Sequence, residues 1–399
     1  MKLIAYIICY LIYPFSFLFP RSPRKYVFGS YRGSFADNAK YLFLYATEHG
    51  DKDIDYIWLS TRRATVRKVR CLGLRAYWVL EPRGVWHALT SGYWFVNSYT
   101  SDIMFCLSGR AVCINLWHGV GIKRIEYNAT SGPLADRYMK KNKYDVFCHP
   151  ESFRKPDWVL SSTPYQNHFF STSFRIPESR CLEMGYPRNR ILTASEEERS
   201  RFVRRFEPEQ TSELIARLKG NDKVFIYMPT FRDSQLTVFT QSMDLEKLNR
   251  IMADKNSMLI LKPHANVRLT ENFGSLTNIM LASPIMDIYP VLPYAHVLIT
   301  DYSSIIYDWL LMNGKDVILY LYDYEAYVKE RDFFYPFDEN VTGCRVDSFD
   351  SLCSVIESGR YGIDLEERKR ILERFWGATV QYDSSGMILD FVKTLKLKR

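Results

Sequence analysis

Four polar clusters stand out in this chain, each placed directly after a short apolar run. NLWHGVGIKRI (115–125) ends its run in Trp117, His118 and Gly119, then turns at Gly121 before Lys123 and Arg124. A histidine at a strand end, beside two cations and a glycine turn, suits a general base working near a phosphate. In YMPTFRD (227–233) Pro229 stops the run, Thr230 and Arg232 can bond phosphate oxygens, and Asp233 can hold Arg232. LILKPHANVR (259–268) gathers Lys262, His264 and Arg268, a donor set that fits an oxyanion or a diphosphate. VLITDYSSIIYDWLL (297–311) ends a run at Asp301, and Ser303 and Ser304 then open a helix. Free amides and two hydroxyls at a helix start favour an anion; Asp308 follows about one turn later, toward the same region. Each cluster also has a plain structural reading: a loop histidine, a turn, a solvated basic loop, a serine N-cap.

Other chemistries lack their signatures. There is no GxxxxGK[ST], no GxSxG and no HExxH. No DxD-type acidic pair follows a strand, which argues against a metal bridging a diphosphate, and no metal or cofactor is expected. The cysteines Cys9, Cys71, Cys106, Cys113, Cys148, Cys181, Cys344 and Cys353 form no CxxC. They read as reduced core residues of a cytoplasmic protein.

The elements that must carry these clusters alternate along the chain. YVFGS (26–30), DIDYIWLS (53–60), YWFVNS (93–98), AVCINLWH (111–118), YDVFCH (144–149), DWVLSS (157–162) and CLEMG (181–185) read as strands. Helical stretches lie between them, such as Asn38 to Glu48 and the basic Arg62 to Arg70. Residues 194–222 are highly charged and helical. The alternation then restarts with KVFIYMPT, SMLILKPH, NIMLAS, HVLITD and DVILYLY, and residues 364–398 read as helical. Such alternation means βαβ units and parallel sheets. The fold class is therefore α/β, with two Rossmann-like domains facing a cleft and ligands outside the carboxyl ends of the strands. The expected divisions are 1–25, 26–205 and 206–399.

Composition sets the outer limits. The chain has 399 residues, 47% hydrophobic and 25% charged, with 19 Gly and 17 Pro, which excludes a disordered or collagen-like protein. Its 53 basic and 45 acidic residues give +8, a balance that suits phosphate handling or an anionic membrane surface. Leu3 to Phe19 carry no charge, and Arg21, Arg24 and Lys25 follow. The run is slightly short for a span, Pro14 interrupts it, and no small-residue cleavage site follows. It is read as an interfacial or re-entrant anchor with Tyr6, Tyr10 and Tyr13 at the headgroups. The basic cluster would then hold the domain on the cytoplasmic face. The other reading is a first helix packed on the domain.

Taken in order, WHGxxxK, PTFRD, KPH and TDYSS resemble the CDP-glycerol glycerophosphotransferase family, over roughly residues 90–375. GYPRN (185–189) and DIYPVLPYAHVLITDYSS (287–304) add to the resemblance. It covers teichoic acid primases and polymerases and relatives that build phosphodiester capsules. The resemblance implies a GT-B fold and a metal-free reaction at the cytoplasmic membrane face. An alditol phosphate moves from a CDP-alditol to a hydroxyl of a lipid-linked acceptor, and CMP is released. By position, His118 matches the family's base on the acceptor hydroxyl, and His264 matches the histidine near the transferring phosphate. Ser303 and Ser304 match serines on donor phosphates, and Lys123 matches a lysine that holds acceptor phosphate. Thr230, Arg232, Lys262, Asp301 and Asp308 fall in or beside the donor motifs.

One departure bears on the acceptor. Many members read WHG-x-Pro-Leu-Lys, whereas Gly121 stands here at the proline's place, so a freer loop is expected. The larger polymerases carry extra N-terminal material, and a chain of this length is expected to transfer once or a few times. Two competing functions are a GT-B glycosyltransferase using a nucleotide-sugar and a non-catalytic membrane scaffold. CMP against UDP release separates the first; the presence of both histidines and both serines argues against the second.

Overall fold

The structure is a computed structural model that describes residues 2–230, 243–263, 276–283, 286–330 and 332–397. Arg232, Asp233, His264 and Arg268 lie outside the described residues. The chain divides into two compact units, residues 1–190 with 375–399, and residues 191–374. The division thus falls at Arg190/Ile191, not at 205/206, and the last residues return to the first unit. The charged helix Glu196–Phe206 belongs to the second unit because Glu196 pairs with Lys219, and Arg199 lies over the Tyr294 ring. The final helix Ser384–Thr394 belongs to the first. Tyr45 donates to Asp383 at 2.6 Å, Tyr93 to the Leu395 carbonyl at 2.7 Å, and Phe391 meets Trp158 edge-on.

The first unit is a seven-stranded parallel sheet. Its strands are β1 (Ser22–Phe28), β2 (Asp55–Ser60), β3 (Ala76–Trp78), β4 (Ser91–Val96), β5 (Val112–Asn115), β6 (Trp158–Ser161) and β7 (Cys181–Glu183). They lie in the order β3-β2-β1-β4-β5-β6-β7. Val27, Phe28, Ile57, Trp58, Leu59, Trp94, Phe95 and Val96 are all fully buried. Both faces of a parallel sheet are covered by helices, so its strands read as continuous apolar runs without alternation. The second unit is a six-stranded parallel sheet of β8 (Lys223–Met228), β9 (Ser257–Leu261), β10 (Ile279–Leu281), β11 (Val297–Thr300), β12 (Asp316–Tyr320) and β13 (Cys344–Val346). Its order is β10-β9-β8-β11-β12-β13. Phe225, Leu259, Ile299 and Ile318 pack on Leu248 and Met252 of the helix Leu245–Asp254 and on Leu352 and Ile356 of the helix Phe349–Ser358. Strand order reverses direction between β1 and β4, and again between β8 and β11. These are the points at which such sheets open a crevice for ligands.

The run at 144–149 is not a strand. It forms the helix Lys143–Cys148, and Asn142 caps it by accepting from the Asp145 N–H at 3.0 Å. Apolar runs this short have no decisive periodicity, and the cap decides.

The N-terminal helix Lys2–Phe15 has two apolar sides. Tyr13 stacks on Phe105 at 4.4 Å and Tyr10 on Phe147 at 5.0 Å, while Tyr6 meets Phe147 edge-on. Ser16 then accepts from the Gly109 N–H at 3.0 Å. All three tyrosines thus make ring contacts with the first unit, although Tyr10 stays exposed. Leu3, Ile4, Ile7, Ile8, Leu11 and Phe15 are exposed along the helix. The basic cluster is also partly committed. Arg21 donates to the carbonyls of Ala88, Ser91, Leu107 and Gly109, and Lys25 donates to Thr90; only Arg24 of the three is exposed. Among the described residues no helix is long and apolar enough to cross a membrane.

Candidate active site

In the first unit the strand ends meet around His118. From Ala111 to Val120 every residue is buried except His118, which is exposed. β5 delivers the chain to this point, and the turn bends sharply: Trp117 sits at φ 49° and Gly119 at φ 108°. A bulky residue at positive φ costs roughly 1–2 kcal/mol, so the surroundings must hold it there. Asn115 accepts from the Trp117 N–H at 2.9 Å. Asn38, fully buried in the first turn of the helix Asp37–His49, donates to the carbonyls of Leu116 at 3.3 Å and Trp117 at 2.9 Å. Arg188 donates to the His118 carbonyl at 2.7 Å. The Trp117 ring stacks on the His118 ring at 4.1 Å and meets Phe170 and Phe174 edge-on.

The helix Pro164–Phe174 supplies those rings. Thr163 caps it and Pro164 starts it, a strong start signal. Gln166, in its first turn, pins the second half of the histidine loop. Its side chain accepts from the Gly121 N–H at 2.9 Å and donates to the Gly121 carbonyl at 3.2 Å. The expected freer loop is therefore not found: the amide clasps Gly121 from both sides. A Cβ at Gly121 would overlap the Phe169 ring. Gly121→Pro is accordingly expected to remove one hydrogen bond and force Phe169 aside, a loss of about 2–4 kcal/mol. A urea midpoint unchanged from the parent chain would contradict this. Lys123, half-buried, follows on the same loop.

Two buried acids sit nearby. Asp102 accepts from the N–H groups of Asn97 and Ser98 at the end of β4, and burial pushes its carboxyl up to about 7 against those donors. Glu126, at φ 51°, accepts from the Tyr99 hydroxyl, and burial likewise raises it to about 7.

In the second unit the register lines up three strand ends. Thr300 pairs with Met228 and Leu261 with Tyr227, so the residues just beyond β8, β9 and β11 leave the sheet at one edge. These are Thr230, Lys262 and Asp301. The Asp301 carboxylate is 1% exposed and accepts from the backbone N–H groups of Thr230 at 2.8 Å and Tyr302 at 2.6 Å. It ties two loops together across the switch point. Asp308 is also 1% exposed and accepts from the Tyr289 hydroxyl at 2.5 Å. Lys262 is 9% exposed and donates to the Ser283 carbonyl at 2.8 Å. Burial lowers its ammonium to about 8, with Asp287 opposing. Ser303 and Ser304 are half-buried at the start of the short helix Ile305–Trp309. Ser304 makes no capping bond with its side chain, and Ser303 accepts only a long 3.5 Å contact from the Ile305 N–H. Among the described residues no group of three or more His, Cys, Asp or Glu side chains is placed to hold a metal ion.

Asn38, Gln166 and Arg188 were not singled out as site residues from the sequence. Arg188 lies in GYPRN, which marked the resemblance without assigning it a job. Asn38 and Gln166 carry no local signal.

Two parallel Rossmann-like sheets with polar side chains at their strand ends define an α/β protein of the class that takes its ligands outside the carboxyl ends of the strands. The chain matches the CDP-Glycerol:Poly(glycerophosphate) glycerophosphotransferase family over residues 11–386. It belongs to that family and is an enzyme of the CDP-glycerol glycerophosphotransferase type, as the sequence motifs imply. It is 25% identical to the teichoic acid glycerol-phosphate transferase of Staphylococcus aureus, over 83% of this chain and 82% of that protein. It is 26% identical to the teichoic acid poly(glycerol phosphate) polymerase of Bacillus spizizenii, over 82% and 81%. Among solved structures, a variant of the wall teichoic acid polymerase TagF superposes with a TM-score of 0.74 at 21% identity, covering 93% of this chain and 89% of that one. A TagF variant soaked with CDPG superposes with a TM-score of 0.73.

Proposed function

We propose that this enzyme moves an alditol phosphate, glycerol phosphate in the first instance, from a CDP-alditol to a hydroxyl of a lipid-linked acceptor. The polymer is of the teichoic acid or capsule type. The family match over residues 11–386 carries this reading; the relatives named for teichoic acid synthesis support it. In the reaction the acceptor oxygen attacks the phosphorus that bears the alditol. His118 takes the hydroxyl proton, a new P–O bond forms, and the P–O bond to CMP breaks. The leaving phosphate gains negative charge, which Ser303, Ser304, Lys262 and His264 are assigned to stabilise with hydrogen bonds and positive charge. Thr230 and Arg232 are assigned to the donor as well, and Lys123 to the acceptor's phosphate. The deciding experiment supplies CDP-glycerol, CDP-ribitol or a UDP-sugar with several lipid acceptors and follows nucleotide release. UDP release without CMP would replace this reading with a glycosyltransferase.

The acceptor's lipid anchor requires work at a membrane surface, and the cytoplasmic face is where CDP-alditols are assigned. The outward stripe Leu3, Ile4, Ile7, Ile8, Leu11 and Phe15 supports interfacial docking. Beside it lies the helix Lys143–Cys148, joined through Phe147, and the preceding run Met139–Lys140–Lys141 with Lys143 and Tyr144 is exposed. Apolar tips among lysines suit an anionic bilayer. Ile7→Glu combined with Leu11→Glu is expected to cut binding to anionic vesicles at least about tenfold, since burying each side chain is worth roughly 1.5–3 kcal/mol. Both positions are exposed, so the fold is kept. Equal flotation of the variant and parent would remove the stripe from membrane binding.

A further inference from the structure

We infer that Arg188, held by Asp37, is a positioning residue that sets the reach of His118. This rests on the reading of His118 as the acceptor's base. The His118 ring is exposed and stacks on Trp117, and the path of the backbone beneath it sets the point from which the ring projects. The carbonyls of residues 116, 117 and 118 each receive a side-chain donor. Asn38 supplies the first two and Arg188 the third, at 2.7 Å. Asn38 also accepts from the Arg188 N–H at 3.2 Å, so both residues form one brace.

Arg188 is itself fixed from its other side. Its Nη1 donates to Asp37 Oδ1 at 2.7 Å, while the neighbouring Nη2 serves His118. The guanidinium side chain is only 8% exposed and the carboxylate 24%. A planar fork can hold two acceptors in two directions at once, which a single ammonium cannot reproduce in the same geometry. The Asp37 backbone stands at φ 63°, a conformation that asparagine and aspartate tolerate better than other side chains. The chain thus places a strained acidic residue and a buried cation behind the turn, while Asn115, Asn38 and Trp117 already satisfy its ordinary packing needs.

The test measures steady-state transfer from CDP-glycerol by the full chain, with thermal unfolding recorded in parallel. Arg188→Ala is expected to lower kcat about 10²-fold, the order of effect seen when a reacting group is misplaced by roughly 1 Å. KM for CDP-glycerol should stay within about twofold. Guanidinium chloride at millimolar concentration should restore part of the rate, and Arg188→Lys should not. Should Arg188→Ala fail to fold, Asp37→Asn carries the test, because asparagine keeps the shape and the φ. It is expected to fold normally and lose about five- to tenfold in kcat. A folded Arg188→Ala with kcat within about threefold of the parent, or an Asp37→Asn with unchanged kcat, overturns the proposal. An inactive His118→Ala beside such active variants leaves the base assignment standing and rejects the brace alone. An active His118→Ala overturns both.

Discussion

His118→Ala is expected to lower alditol-phosphate transfer by about 10²–10⁴, the usual span for losing a general base, with CDP-glycerol still bound. The reasoning lies in how the turn is built. The imidazole is the exposed group in a stretch of buried residues, and the backbone beneath it is held by Asn38, Asn115 and Arg188 rather than by the ring. Truncating the ring removes one stacking partner of Trp117, which keeps Phe170 and Phe174. The fold should therefore survive while the proton acceptor is gone. Donor affinity should also survive, because the motifs assigned to the CDP-alditol lie in residues 191–374. CMP release and titration calorimetry with CDP-glycerol read the two effects separately. Parent-like turnover in the variant would take His118 out of the mechanism.

Ser303→Ala with Ser304→Ala is expected to weaken CDP-glycerol binding by roughly 10–100-fold for each hydroxyl, because a hydrogen bond to a charged phosphate is worth about 1.5–3 kcal/mol. The local structure makes this a clean test. Ser304 contributes no side-chain cap and Ser303 only a 3.5 Å contact, so little helix stability depends on either hydroxyl. A drop in thermal stability with unchanged donor affinity would make the pair a helix opening and nothing more. Weakened affinity with stability retained would place them on the donor.

The sequence made the strand-end positions legible because parallel strands buried on both faces must be written as short apolar runs. Those runs ended at His118, Thr230, Lys262 and Asp301. Two edge strands escaped notice: Ala76–Trp78 and Cys344–Val346 have three residues each and are only partly buried, too little apolar text to register. The run at 144–149 went the other way, since its helix turns on an asparagine cap rather than on periodicity. The supports of the site were illegible for a different reason. Gln166 meets Gly121, and Arg188 meets Asp37 and His118, across long stretches of chain, and a lone amide or arginine leaves no pattern in its own neighbourhood. Gly121 shows the consequence most clearly. Read alone, a glycine in place of proline signals freedom; with Gln166 folded over it, the same glycine is the condition for a tight clasp. Asp301 and Asp308 were legible as polar residues near strand ends, and the structure places both in buried positions.

The return of residues 375–399 to the first unit has a consequence for the order of events at the ribosome. Synthesis runs from the N-terminus, and domains ordinarily fold in that order. Here the half made first is finished last. Tyr45 must wait for Asp383, Trp158 for Phe391 and Tyr93 for the Leu395 carbonyl, all of which are made after the second unit. The second unit has its strands in one uninterrupted stretch and can close while the first is still short of its final helix. A premature stop near residue 374 would therefore spare the half assigned to the donor and cripple the half that carries His118.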